Sequence, residues 1–489
     1  MARDNAASPN ILLITLDQFR ADCLSCAWHP VVRTPALDRL ASQAIRFTHH
    51  YSQAAPCSPG RAALYTGTYQ MNNRVVANGT PLDTRFDNIA HAARRAGYVP
   101  ALLGYTDQGV DPRFVSDPTD PRLSTYEGVL PGFDPVLDMG GWQLPWMLWL
   151  NGQGFDFADP IAALHLEHER PTELSTSTFL TNGFIGWLGE QHEPWFAHLS
   201  YLRPHPPYSA AGEFSTMYDP QECPPPMPVP GNRHRLLDGL LNSPAAAPAD
   251  PDDVARIRAQ YYGMISEVDA QLARVWAALA DKGDWDNTVI VVTSDHGEQL
   301  GDQGLVEKAG FYEASYAVPA IVRDPRFGVV GVVDDFTENV DIMPTLCEAM
   351  GIDVPTQCDG LPLTPFLRGE RPSAWRDAAY YEWDWRDVFI PHGDHPWPWD
   401  RRLERQNLAV RRSRDRAFVH FGDGSWRCFD LAADPTWQTE VDDPSIVLAE
   451  AAEMLSWRSR NLDRTMTGML LQNGGIGRRP AANVPTPIS

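Results

Sequence analysis

Two near-continuous apolar runs constrain this chain most: NILLITL at Asn10–Leu16 and TVIVVT at Thr288–Thr293. A strand with one wet face alternates apolar and polar residues. A run without that alternation is buried on both faces, as in the middle of a parallel sheet. Parallel strands need long crossovers, so helices must cover the sheet. The chain supplies them. Thr34-Pro35 opens a helical pattern at Leu37, Leu40, Ala41, Ala44 and Ile45. Residues 88–96 read as a helix stopped by Gly97, with a strand at 98–103. A helix at 172–188 precedes a strand at 195–201. Ile257, Tyr261, Ile265, Val268, Leu272, Val275 and Leu279 mark a long helix before the second apolar run. A strand at 316–322 and a helix at 341–350 complete the pattern. The expected fold is α/β, with a large, mainly parallel sheet flanked by helices.

Residues 219–253 are Pro-rich and non-periodic and read as a long surface insertion. The pattern changes near Arg371. Short strands are expected at 408–412, 417–421 and 425–431, the last two joined by Gly422-Asp423-Gly424, then a helix at 446–462. The expected division is a catalytic unit at 1–370 and a smaller antiparallel-sheet unit at 371–489. The tail after Gly474 reads as an extended arm.

A net charge of −23 over 489 residues argues against nucleic acid or an anionic membrane as partner. No run reaches the roughly 18 apolar residues of a membrane span, and no signal-peptide pattern opens the chain. Seven cysteines in this length do not form a disulfide scaffold, and the Cys23/Cys26 pair has no second pair to build a zinc site. The expectation is a soluble, cytoplasmic protein.

Polar groups gather where the strands end. Asp17-Gln18 follow the first apolar run, His205 follows the strand at 195–201, and Asp295-His296 follow the second run. Ligand sites of open parallel sheets form at such carboxyl ends. Two carboxylates, an amide oxygen and an imidazole suit one divalent cation, Ca²⁺, Mg²⁺ or Mn²⁺, the histidine favouring Mn²⁺. Capping of the next helices is the competing use of Asp17 and Asp295. A loop ending at Cys57 then opens a helix, with Pro59 in its first turn and Arg61 four residues on. A helix start offers unpaired N–H groups to an anion, and Arg61, on the same helical face as Cys57, can fork a substrate oxyanion. By itself Cys57 reads as a buried thiol or as a thiolate nucleophile.

The pattern Cys57-x-Pro59-x-Arg61 resembles the sulfatase signature, with Gly60 where Ser is common. Asp295-His296-Gly297-Glu298, Gly301-Asp302 and Lys308 resemble that family's second segment, and Pro204-His205-Pro206 its third. Cys428-Phe429-Asp430-Leu431 echoes its closing strand, and the likeness covers roughly residues 9 to 365. Gly104-Tyr105-Thr106-Asp107 stands where typical sulfatases carry Gly-Lys-Trp-His. That departure, together with Asn78, resembles the arylsulfatase and phosphonate monoester hydrolase branch of the alkaline phosphatase superfamily.

The resemblance implies that a formylglycine-generating enzyme oxidises Cys57 to formylglycine (3-oxoalanine). It implies one divalent cation, Ca²⁺ or Mn²⁺, on Asp17, Gln18, residue 57, Asp295 and His296. It gives catalytic work to Cys57, Arg61, His205 and Lys308, and substrate contacts to Asn78, Tyr105 and Thr106. The implied activity is hydrolysis of small-molecule sulfate monoesters, with phosphonate monoesters and phosphate diesters also accepted; the alternative is a phosphonate monoester hydrolase with sulfatase side activity. A homo-oligomer, dimer or tetramer, is expected from the arm. The rivals are a thiolate or phosphomutase-type transferase, and a binding protein with a degenerate site. The Trp-rich stretches 142–149 and 383–399 are candidates for an aromatic pocket wall, or for simple packing.

Overall fold

A computed structural model describes residues 8–386, 405–464 and 469–478. Its centre is β1 (Asn10–Leu16), buried along its whole length. With β2 (Ile45–Tyr51), β3 (Pro100–Gly104), β4 (Asp134–Asp138), β5 (Phe196–Tyr201), β6 (Thr288–Thr293), β7 (Ala320–Arg323) and β8 (Gly331–Glu338) it forms one sheet, ordered β4-β3-β5-β1-β6-β7-β2-β8. Every neighbour pair is parallel except those made by β7, which runs antiparallel to β6 and β2.

The continuous apolar runs have a direct cause in this packing. Leu12, Ile14 and Leu16 of β1, with Ile290 and Val292 of β6, enter one core. Ile11 and Leu13, with Val289 and Val291, enter the core on the opposite face. Successive side chains of a strand point to opposite faces, so both sets must be apolar. The first core is closed by the 32-residue helix Pro251–Lys282, which Asp250 caps and Gly283 ends in a left-handed conformation. No helix of the described residues is long and apolar enough to cross a membrane.

Four expectations change. Ile45 begins β2 and does not extend the Pro35–Ala41 helix, because Ser42–Ala44 turn the chain into the sheet. The strand expected at 316–322 is the shorter β7, and it is antiparallel. β4 and β8 are strands the sequence reading did not expect: β4 is exposed along most of its length and β8 at alternate residues of its first half, so neither has an apolar run. The segment at 219–253 is not only surface: within it the helix Arg235–Leu240 buries Leu236, Leu237 and Leu240 beside Leu305 and Phe311.

A second, antiparallel sheet has the order β12-β11-β10-β9, built from β9 (Ala378–Asp384), β10 (Asn407–Ser413), β11 (Arg416–Phe421) and β12 (Trp426–Asp430). β9 fastens it to the loop before Cys57: Glu382 N donates to Gln53 O at 2.9 Å. Trp383 and Trp385 pack in this sheet's core, while residues 387–399 of that Trp-rich stretch lie outside the described residues. The expected terminal helix is Pro444–Arg460. Of the expected arm, residues 475–478 pair in a short hairpin and 479–489 lie outside the described residues.

Candidate active site

The carboxyl ends of β1, β3, β5 and β6 deliver their following residues to one edge of the sheet. Gly104, at φ 119°, ends β3 so close to β5 that a Cβ would stand 2.2 Å from Ser200 O. The next residues, Tyr105 and Asp107, thereby reach the same cavity as Asp17 and His205.

The helix Cys57–Thr66 starts at this edge and is buried throughout. A Cβ on Gly60 would stand 2.4 Å from Asp295 O, so this helix can lie against the Asp295 loop only with glycine there. That contact accounts for Gly60 in place of the common serine. Asn78 Oδ1 accepts from Ser58 N at 2.9 Å and satisfies one of the orphan donors of the helix start. Its amide NH₂ remains as the group it can offer the cavity.

Asp17, Cys57, Asp295 and His296 each present one ligand atom, all within 4.8 Å of one another. His296 Nε2 lies 3.3 Å from Cys57 Sγ and 3.9 and 3.8 Å from carboxylate oxygens of Asp17 and Asp295. Asp17 Oδ1 is buried without a hydrogen-bond partner. A buried, unpaired carboxylate oxygen facing an imidazole is costly unless something positive joins them. This donor set fits a divalent cation, and neither aspartate caps a helix among the described residues.

Gln18 sits at φ 65° and is engaged differently: its amide oxygen accepts from Lys308 Nζ at 2.8 Å and its amide nitrogen donates to Glu298. An amide oxygen has a second lone pair, which is what Gln18 could give a cation.

Arg61 is brought to the site, but below the carboxylates. It is fully buried and donates to Asp295 Oδ2 at 2.9 Å, Asp17 Oδ2 at 3.0 Å, Ser200 Oγ at 2.9 Å and Tyr105 O at 3.1 Å. It is not on the cavity wall. Its guanidinium, with the Tyr105 hydroxyl at 2.5 Å, orients the acids, not a substrate oxyanion as the sequence reading supposed. Burial alone would raise the Asp17 carboxyl, yet Arg61, His296, Lys308 and the Tyr105 hydroxyl hold it below the usual range.

Thr106 also has another job. Its hydroxyl donates to Gly128 O at 2.7 Å and accepts from Leu130 N at 2.8 Å, so it ties two loops together away from the cavity. Asp107 takes the wall position instead.

Across the cavity, Lys308 Nζ donates to His205 Nε2 at 3.0 Å, while His205 Nδ1 bonds Pro206 O at 2.7 Å. Burial and the neighbouring Lys308 charge hold His205 well below the ordinary imidazole range, so it is neutral near pH 7. Lys308 goes the other way: burial opposes its charge, but the carboxylates of Glu307, Asp17 and Asp295 keep it protonated. The His205 turn is fixed by Arg203, which donates to His205 O at 2.7 Å and Pro207 O at 2.8 Å and is paired with buried Glu167. Arg203 and Glu167 were not found from sequence; Glu167 lies far from any strand end and has no motif.

The cavity is about 290 Å³. Among the described residues Lys308 is the one permanent cation on its wall, which also carries the carboxyls of Asp17, Asp107, Glu127 and Glu307. Trp142 and Tyr126 add aromatic surface; of the other tryptophans nearby, Trp146 is buried and bonds Leu174 O at 2.9 Å. Tyr126 and Glu127 come from a loop with no periodicity to single them out.

Burial and the Asp17 charge push the Cys57 thiol well above its ordinary value, with Lys308 opposing. A thiolate nucleophile requires the reverse shift, so the protein groups around Cys57 do not by themselves activate it as a thiolate.

The sulfatase family profile matches residues 9–352. The chain belongs to the sulfatase family. A second profile, described as the C-terminal part of N-sulphoglucosamine sulphohydrolase, matches residues 301–455 of this sulfatase. The multifunctional alkaline phosphatase superfamily protein PehA of Trinickia caryophylli is 35% identical, over 94% of this chain and 96% of its own. An arylsulfatase of Clostridium perfringens is 27% identical, over 88% and 90%. The crystal structure of a phosphonate monoester hydrolase of Agrobacterium radiobacter superposes with a TM-score of 0.89 at 41% identity, covering 96% of this chain and 99% of that one. That of Silicibacter pomeroyi gives 0.86 at 35%, covering 97% and 100%. This sulfatase-family chain is therefore a hydrolase of sulfate or phosphonate esters with an alkaline-phosphatase-like fold.

Proposed function

We propose that the enzyme hydrolyses singly charged esters, phosphonate monoesters and phosphate diesters ahead of aryl sulfates, with phosphate monoesters the poorest. The observation that carries this reading is a cavity lined by Cys57, His205 and Asn78, in which Lys308 is the only permanent cation among the described residues. A second phosphoryl charge would meet the Glu127 and Glu307 carboxyls with no further cation among the described wall residues to balance it. Similarity to two phosphonate monoester hydrolases at 41% and 35%, against 27% for the arylsulfatase, favours the phosphonate reaction as the main one.

In this proposal Cys57 is matured to formylglycine by the formylglycine-generating enzyme, and the hydrated aldehyde supplies one hydroxyl for attack and one for product release. Asp17, Gln18, Asp295, His296 and residue 57 would hold a Ca²⁺ or Mn²⁺ ion, which supplies positive charge at the nucleophilic oxygen. Arg61 and Tyr105 keep the two aspartates in place. The Asn78 NH₂ donates to a non-bridging oxygen, and such preorganised donors are usually the largest catalytic term. Lys308, held by Gln18 and His205, protonates the leaving oxygen. Neutral His205 accepts the proton released when product departs. Assembly into a dimer or tetramer belongs to the same proposal, and light scattering at working concentration tests it.

Specificity constants for matched p-nitrophenyl esters test the charge argument. The phenylphosphonate, the phosphate diester and the sulfate are each expected to exceed the phosphate monoester by at least about tenfold, or about 1.4 kcal/mol. A preferred phosphate monoester would overturn it.

Asp107 gives a pH prediction. It is buried, 3.8 Å from Arg61 Nε, and burial pushes its carboxyl up to about 8. Below that pH it is neutral and can donate to a substrate oxygen; above it the carboxylate repels an anion. KM is expected to rise above about pH 8, approaching tenfold per unit. Asp107→Asn should flatten that limb while keeping activity at pH 7. An unchanged alkaline limb in Asp107→Asn would assign it to another group.

A further inference from the structure

A second cavity, of about 620 Å³, is larger than the catalytic one and shares no lining residue with it. It lies among the turn ending at Trp28, β2, the segment from Tyr312 to Ala317, and Trp437. Its volume is in the range of small-molecule sites.

The charges on its wall are nearly all spoken for. Arg20 binds Asp22 at 2.7 Å and Asp302 at 2.7 Å. Glu313 takes Arg412 at 3.1 Å and the Tyr51 hydroxyl. His49 faces Asp334 at 3.0 Å. Arg46, on β2, is the exception: among the described residues its guanidinium makes no hydrogen bond or ion pair. The Arg46 guanidinium is therefore the one charged group on the described wall without an ion-pair partner.

Its aromatic groups are arranged in two tiers. Tyr312 and Trp437 are buried and meet edge to face at 5.7 Å. Trp28 is 91% exposed and held at φ 66°, a left-handed conformation that a bulky residue rarely adopts. The Trp28 indole thus stands free at the cavity mouth, with its ring available to a ligand.

We propose that this cavity binds a small aromatic anion, its ring against Trp28 and the Tyr312–Trp437 pair and its acid group forked by Arg46. A guanidinium pairs bidentately with a carboxylate, sulfonate or phosphonate, and aromatic faces accept a flat ring. The site also adjoins the catalytic loops. Ala314, on its wall, accepts from Glu298 N at 2.9 Å, and Ala317 from Ala21 N at 3.1 Å. An occupant would sit one hydrogen bond from the loop that carries His296.

Naphthalene-2-sulfonate is a suitable probe, because it is no ester and cannot be turned over. Calorimetric titration of the full chain is expected to give saturable one-to-one binding. Arg46→Gln should weaken it by at least about tenfold, the worth of a charged hydrogen bond. Trp28→Ala should weaken it several-fold, and Lys308→Ala should leave it unchanged. Both surface variants should keep wild-type kcat on the best ester, which verifies their folding. No saturable binding would overturn the proposal. So would binding lost in Lys308→Ala but intact in Arg46→Gln, since the probe would then be in the catalytic cavity.

Discussion

Cys57→Ala is expected to lower kcat by roughly 10⁴-fold or more, the scale seen when a nucleophile is removed. Burial and the Asp17 charge push the unmodified thiol up, the wrong direction for an ordinary thiolate nucleophile. Cys57→Ser separates two parts of the account. A serine oxygen can occupy the same position at the helix start, beside His296 and across from Lys308. It can attack once, but after esterification it has no second hydroxyl with which to expel the product. The expected behaviour is a burst of at most one leaving group per chain, followed by very slow turnover. Steady-state turnover near the wild-type rate in Cys57→Ser would mean that release does not need the second hydroxyl.

Asp295→Ala is expected to remove both metal and activity, with kcat/KM down by at least about 10³-fold. The structure gives this residue two tasks. One oxygen accepts from Arg61 Nε at 2.9 Å, and the other accepts from His296 N at 3.0 Å and Gln18 N at 3.2 Å. Losing it strips a ligand, frees His296 to move and leaves Arg61 without one of its two counter-charges. Elemental analysis of the purified variant should find it metal-free, where the parent chain carries one Ca²⁺ or Mn²⁺. Chelation of the parent should abolish activity and re-addition of the ion restore it. Full occupancy in Asp295→Ala would move the ion to another set of residues.

The parts of this molecule that were legible in its sequence share a physical reason. β1 and β6 are buried on both faces, so their residues cannot alternate and the run stands out. The catalytic groups sit immediately after such runs, which is why Asp17, Asp295 and His296 could be read as one site from separate places in the chain. β4 and β8 lie at the two edges of the sheet, where one face is wet, and they hide among loops. The helix Arg235–Leu240 hides for a different reason: it is one and a half turns in a Pro-rich stretch, too short to show a period. Within the site, residue type was legible and direction was not. Arg61 was read as facing a substrate, yet its fork is filled by Asp17 and Asp295. Thr106 and Asp107 are adjacent in sequence. Only the backbone, with Asp107 at φ 51°, decides that the carboxyl and not the hydroxyl reaches the cavity.

All of this rests on residue 57 being more than a cysteine in the active protein. The intact mass of the tryptic peptide from Phe47 to Arg61, taken from enzyme of known activity, measures that directly. The expected mass corresponds to loss of one sulfur and two hydrogens with gain of one oxygen, in a fraction that rises in proportion to specific activity. Full activity from chains whose peptide carries only unmodified cysteine would contradict the account.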